Sequence, residues 1–182
     1  MFEIVAERPQ DAAPRDQLLD LAFGPERGKR TVYRLREGAA AVAGLSFVAL
    51  EDGVFSGSLR FWPVRLGGAE RPILLGPLAV DPERRGQAVG VALVRRGLRE
   101  AKRLGHDIVL VVGAPHYYQR FGFGPATPYG LTLPGPVDPE RFQIRALRGG
   151  ALRRIAGPVE RVDVAKEREK EVANGPRGAT PP

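Results

Sequence analysis

The apolar positions open with a short strand-like segment at residues 2–6 and pass to residues 11–23, where Leu18, Leu19, Leu21 and Ala22 recur with helical spacing. A second short helix is predicted over residues 32–36, stopped by Gly38 as a C-terminal cap. Residues 45–50 and 54–64 have strand composition and flank Glu51-Asp52-Gly53, whose Asp-Gly pair signals an antiparallel hairpin. Residues 72–81 are almost wholly apolar, as suits a central strand buried on both faces. Pro77 cannot donate to a ladder, so this strand is expected to bulge or part from a neighbour near its middle.

Residues 89–104 form an amphipathic helix ended by Gly105, and residues 107–112 a second buried strand, which together with residues 72–81 make a βαβ unit. Beyond it the pattern predicts a turn or short helix at residues 115–120. β-like pieces follow around residues 121–123, 129–133 and 142–147, with a Pro-rich loop at residues 134–139. Residues 163–182 end in Asn-Gly-Pro-Arg-Gly-Ala-Thr-Pro-Pro and bury too little apolar surface to offset the entropy of ordering. The expectation is one α/β (α+β) domain over residues 1–162, built on a mixed central sheet flanked by helices, and a disordered tail over residues 163–182.

A chain of 182 residues suits one domain with a real core. The absence of cysteine and the presence of only His106 and His116 exclude a disulfide scaffold, a structural zinc site and a cysteine nucleophile, and no metal is expected. The acidic residues of the N-terminus do not fit an export signal, and no apolar run approaches the length of a membrane helix. A soluble, cytoplasmic protein with no membrane partner is expected.

The net charge of +7 is unevenly placed, because residues 84–105 hold seven basic side chains against Glu100 alone. On a helical projection Arg95, Arg96, Arg99, Lys102 and Arg103 share the face opposite Leu93, Val94, Leu98 and Ala101, which makes most of the excess a solvated outer face. The aromatic residues lie mostly in strand-like runs rather than among these cations, so nucleic acid is not an expected partner.

Two segments carry candidate chemistry. The first, Pro82-Glu83-Arg84-Arg85-Gly86-Gln87-Ala88-Val89-Gly90, lies where a buried strand turns into the long helix. Free N–H groups and the helix dipole make such a turn an anion site, and its small residues admit a diphosphate. Arg84 and Arg85 reinforce the sign. By itself this is a weak signal, since it is neither a Walker loop nor a Rossmann fingerprint. The second, Val112-Gly113-Ala114-Pro115-His116-Tyr117-Tyr118-Gln119-Arg120-Phe121-Gly122-Phe123, leaves the carboxyl end of the next buried strand. Ligands of α/β sheets bind at strand carboxyl ends, so both segments converge on one crevice.

Together, Arg85-x-x-Ala88-x-Gly90 opening a helix and Tyr117-Tyr118-Gln119-Arg120-Phe121-Gly122-Phe123 after the next strand resemble the Gcn5-related N-acetyltransferase (GNAT) superfamily. Within it they are most similar to the bacterial YhbS-like branch. The resemblance spans roughly residues 2–150 and implies the GNAT acyl-CoA N-acyltransferase fold with a splayed strand pair. It also implies acetyl-CoA as cosubstrate and direct transfer of an acetyl group to a primary amine of a small molecule or peptide.

By the same resemblance, Leu78, Ala79 and Val80 hold the pantetheine, and Arg84, Arg85, Gly86, Gln87, Ala88, Val89 and Gly90 cradle the pyrophosphate beside Tyr117. Tyr118 is then the general acid on the departing thiolate. Three departures stand out: Ala88 occupies a family glycine position, His116 stands where a small residue is expected, and residues 73–80 carry no glutamate, where many relatives place a base. His116 is chemically suited to accept the amine's proton. Glu51, Asp52, Asp81 and a water relay remain alternatives.

The loop at residues 24–30, with Glu26, Arg27, Lys29 and Arg30, reads first as a solvated basic loop and second as a site for a carboxylated or phosphorylated amine. A non-catalytic acetyl-CoA sensor is the competing function, and a homodimer stays open.

Overall fold

A computed structural model describes residues 1–84, 86 and 88–163; Arg85, Gln87 and the expected tail past Asp163 lie outside the described residues. Its strands are β1 (Phe2–Ala6), β2 (Ser46–Glu51), β3 (Val54–Gly67), β4 (Ile73–Val80), β5 (Ile108–Val112), β6 (Gly124–Pro125), β7 (Leu131–Thr132), β8 (Phe142–Ala146) and β9 (Ala156–Arg161). The α-helices are α1 (Ala12–Phe23), α2 (Thr31–Arg34), α3 (Val89–Arg103) and α4 (Pro115–Tyr118). Strands run in the order β1-β2-β3-β4-β5-β8-β6, and β9 joins β7 to the far half of the long β3.

Asp52 and Gly53 take positive φ of 49° and 80°, the geometry a two-residue hairpin turn needs between right-twisted strands, and β2 and β3 pair across them as predicted. Helix α3 buries Val89, Leu93, Val94, Gly97, Leu98 and Ala101. These side chains pack on Leu59, Phe61, Ile73, Leu75, Val109 and Val111 of the sheet. The opposite face is covered by α1, through Leu18 and Leu19 on Ala79, and by Leu35 over Leu74 and Leu110. The predicted two-sided burial of β4 follows from these layers.

The middle of β4 breaks the ladder where Pro77 predicted. Leu59 faces Leu78 but Phe61 faces Leu75, so Gly76 and Pro77 together oppose the one residue Arg60. That extra residue resets the alternation, which puts Leu75 and Leu78 on the same side as α3. On the other edge β4 pairs β5 in parallel only at Ile73↔Val109 and Leu74↔Leu110. Past those pairs the two strands part, while β5 stays fully paired with β8.

Three local expectations are corrected. Residues 121–123 are not strand: Phe121 closes a 3-10 turn and Gly122 follows at φ 80°, its N–H bonded to Gln119 O at 2.9 Å. The aromatic residues there face the core beneath α3 instead of a ladder. The short helix starts at Thr31 and ends at Arg34, and turns carry the chain on to Gly38 at φ 73°. Strand β9 was not anticipated, since Gly157 and Pro158 interrupt its pattern and the far half of β3 supplies its partner. No helix among the described residues is long and apolar enough to cross a membrane.

Candidate active site

The parting of β4 from β5 opens a cleft of about 200 Å³. Its floor is Leu75, Gly76, Pro77 and Leu78 on one side and Val111, Val112, Gly113 and Ala114 on the other, with Tyr118, Tyr33 and Arg36 on its walls. Helix α4 begins at this strand end because Pro115 sits at its first position, where a missing N–H costs nothing. The turn swings Tyr118 back over Gly113. A Cβ at Gly113 would overlap the edge of the Tyr118 ring at Cε2 and stand 2.9 Å from Cδ2, so the absence of a side chain at Gly113 is what lets the phenol lie against the end of β5. Edge-to-face contacts with Tyr117 (centroids 5.1 Å apart) and Phe123 (5.7 Å) fix the ring. Burial pushes the Tyr118 phenol well above its ordinary pKa, the neighbouring Tyr117 adds to the rise, and Arg141 opposes it.

A second cleft of about 420 Å³ adjoins the N-terminus of α3 and is lined by Val80, Arg84, Gly86, Ala88, Val89, Gly90, Val91, Tyr117 and Arg120. The turn predicted from sequence and the first of the two tyrosines therefore meet. The Tyr117 hydroxyl stands where a Cβ at Gly90 would come within 2.7 Å of it, so the glycine is needed for the approach. Gly86 has φ 92° and nothing within 4 Å of a Cβ position, and Ala88 is exposed and adopts a left-handed φ of 61°. Arg84 forms an ion pair with Glu51 and lies 3.7 Å from Asp81. Those two carboxylates, with the exposed Asp52, therefore stand at the Val80 end of β4 and away from the bulge.

The sequence-predicted residues thus separate into three groups. Leu78 and Tyr118 meet at the bulge; Val80, Arg84, Gly86, Ala88, Val89, Gly90 and Tyr117 meet at the helix end; Ala79 turns its methyl into the packing against α1. His116 is not brought to either cleft. It is exposed, because two residues along a helical turn is about 200° and puts His116 on the face opposite Tyr118. Among the described residues, the lining of the bulge cleft contains no carboxylate and no imidazole.

One feature of the cleft had no signal in the sequence. Arg36, only 8 % exposed, lies with its guanidinium 4.6 Å from the Tyr33 ring centre and 5.9 Å from that of Trp62. Trp62 in turn donates its indole N–H to Gly76 O at 2.7 Å, tying the bulge to the same cluster. Burial pulls the Arg36 pKa down to about 10, with Tyr33 opposing and Arg27 adding to the fall, so the group stays cationic at neutral pH. Only the inward turn of residues 35–38 brings it there, and nothing in the sequence separates Arg36 from Arg34 two residues earlier, which is exposed and donates to Pro134 O.

Comparison with known proteins identifies the family. The profile of the Acetyltransferase (GNAT) family matches residues 15–123. The chain is 35% identical over 159 residues to Uncharacterized N-acetyltransferase YhbS of Escherichia coli (strain K12), covering 86% of this chain and 94% of that protein. It is 34% identical over 134 residues to Uncharacterized N-acetyltransferase YjhQ of the same strain, covering 71% and 74%. The crystal structure of E. coli YhbS in complex with CoA superposes with a TM-score of 0.75 at 33% identity, over 88% of this chain and 89% of that one. A GNAT family acetyltransferase from Brucella melitensis in complex with acetyl-CoA superposes at 0.58 with 34% identity, over 83% and 97%. By the family profile and by its identity to these relatives over most of its length, this chain belongs to the acetyltransferase (GNAT) family.

Proposed function

We propose that the protein transfers an acetyl group from acetyl-CoA directly to a primary amine, with Tyr118 as proton donor to the departing thiolate. The observation that carries this reading is the cleft at the β4 bulge, where the free edge of β4, the end of β5 and the Tyr118 phenol converge. Beyond Leu74 that edge of β4 has no strand partner, so backbone groups of residues 78–80 are available for β-like pairing with a pantetheine arm. The open turn at Gly86, Ala88 and Gly90, at the positive end of α3, suits the pyrophosphate, with Arg84 and Arg120 beside it. Arg85 and Gln87 belong to the same proposed cradle by sequence alone.

The reactive thioester comes with acetyl-CoA; the chain's residues orient it and handle protons. A phenol of pKa about 10 protonating a thiolate of about 8.5 runs uphill by about 2 kcal/mol, and burial of Tyr118 widens the gap. The phenol therefore acts as a positioned donor whose bond strengthens as charge develops on sulfur, and it stays protonated at neutral pH. An alkylammonium costs about 4–5 kcal/mol to deprotonate at pH 7. With no carboxylate or imidazole lining the bulge cleft among the described residues, and His116 on the outer face, a water relay is assigned that proton.

The same lack of a base favours a second reading, an acetyl-CoA-binding sensor without catalysis. Calorimetry with acetyl-CoA, followed by a panel of amines monitored for free thiol, separates the two. Binding with thiol release supports the enzyme; binding with no release on any amine supports the sensor.

A further inference from the structure

A third cleft, about 480 Å³, lies on the α1 side of the sheet and shares Tyr33, Arg36 and Pro77 with the bulge cleft. The shared wall is the natural passage between an acceptor entering from that side and a thioester lying at the bulge. Its charges are unevenly satisfied. Arg15 is paired with Glu7 and Asp16, Arg60 with Glu7 at 2.7 Å, and Arg27 with Asp20 at 2.8 Å. Glu37, adjacent in sequence to Arg36, lies 3.5 Å from Arg161. Every carboxylate lining this cleft is thus engaged elsewhere, and among the described residues none forms an ion pair with Arg36. Its Nε and Nη1 are buried with no hydrogen-bond partner, although an isolated buried cation is costly to a fold. The rings of Tyr33 and Trp62 position the guanidinium but cannot neutralise it.

Arg36 also stands at the wrong end of the site to serve the phosphates of a coenzyme. It meets β4 at Gly76, whereas the small-residue turn meets it at Val80, roughly 13 Å along an extended strand. The unpaired charge is at the reacting end.

We propose that the acceptor is an amine that also carries an oxyanion, a carboxylate or a phosphate, and that Arg36 receives this group and sets the enzyme's specificity. The proposal rests on the acetyl-transfer reading and names its substrate class. Of the loop charges at residues 26–30, Lys29 is bound to Glu26 at 2.8 Å and Arg27 to Asp20, while Arg30, at the rim of the bulge cleft, is exposed and lies over the Phe23 ring, donating to Phe23 O at 3.3 Å.

The test compares matched pairs: ω-amino carboxylates of two to six carbons against their carboxamides, and aminoalkyl phosphates against the amino alcohols of equal length. Thiol release from acetyl-CoA is measured for wild type, Arg36→Met and Arg36→Lys. In wild type at least one anionic member is expected to exceed its neutral partner in kcat/KM by about 30-fold or more, and whether the carboxylate or the phosphate series does so identifies the group. Arg36→Met is expected to bring that ratio to within about 3-fold while the KM for acetyl-CoA stays put; Arg36→Lys restores part of it. A structural role would instead lower anionic and neutral acceptors together. Neutral partners used as well as anionic ones, or a ratio that survives Arg36→Met, overturns the proposal. If CoA binds but no amine is acetylated, the catalytic reading fails. Calorimetry of the same pairs on the CoA-loaded protein then decides Arg36: tighter binding of an anionic member that is lost in Arg36→Met supports it, and equal binding within every pair overturns it.

Discussion

Ala88 is the point where a departure from the family pattern has a measurable energetic consequence. It caps the N-terminus of α3 at φ 61° and ψ 13°, a left-handed conformation that brings the Cβ of an L-residue too close to its own backbone. That conformation costs a non-glycine residue about 1–2 kcal/mol. Ala88→Gly removes the strain and, the side chain being exposed, sacrifices no buried surface. Against it stands the greater freedom of glycine in the unfolded chain, about 0.5–1 kcal/mol. The net expectation is a gain of about 0.5–1 kcal/mol, or about 1–4 °C in Tm for a domain of this size. Urea denaturation of the ligand-free protein, with the m-value unchanged, reads it directly. A loss of stability on Ala88→Gly would refute the assignment of strain to this cap. With the methyl gone from the turn, CoA is expected to bind at least as tightly.

Three further outcomes follow from the same packing. Gly113→Ala drives a methyl into the Tyr118 ring, so acetyl transfer is expected to fall by about 10²-fold with a far smaller change in the KM for acetyl-CoA, read by steady-state kinetics. Gly97→Ala places a Cβ 2.7 Å from Phe61 Cζ in the layer between α3 and β3, and is expected to cost about 1–3 kcal/mol in chemical denaturation. Buried His106, whose Nδ1 lies 3.0 Å from Arg71 O, has its pKa lowered by desolvation, so it contributes stability above its ordinary value near 6.5. That contribution is lost as pH falls below 6.5, and the decline in unfolding free energy on acidification is expected to shrink in His106→Asn.

Much of the architecture could be read directly because single residues left strong local signals. Residues 89–104 carry a charged face and an apolar face that the sheet then receives, and Asp52-Gly53 supplies the two positive φ angles of the hairpin. Pro77 announced the broken ladder at the point where β4 later leaves β5. Phe121 and Phe123 misled, because aromatic residues favour strands on average yet here fill the space under α3 from a turn. His116 was chosen for its chemistry, and only the helical turn that directs Tyr118 inward reveals that His116 points out. Arg36 went unseen for the converse reason: one of several arginines in residues 27–36 reads as solvated, and its burial depends on Tyr33, Trp62 and Gly76 arriving from three segments. Pairing of that kind is tertiary and leaves no period in the chain.

The central claim is that acetyl transfer occurs in the cleft at the β4 bulge with Tyr118 as proton donor. Its most direct test is the rate of thiol release from acetyl-CoA, in the presence of an accepted amine, for wild type and Tyr118→Phe, with CoA affinity measured in parallel. The account predicts that turnover falls by about 10²-fold or more while CoA affinity changes by less than about 3-fold. Equal turnover in the two proteins would contradict it.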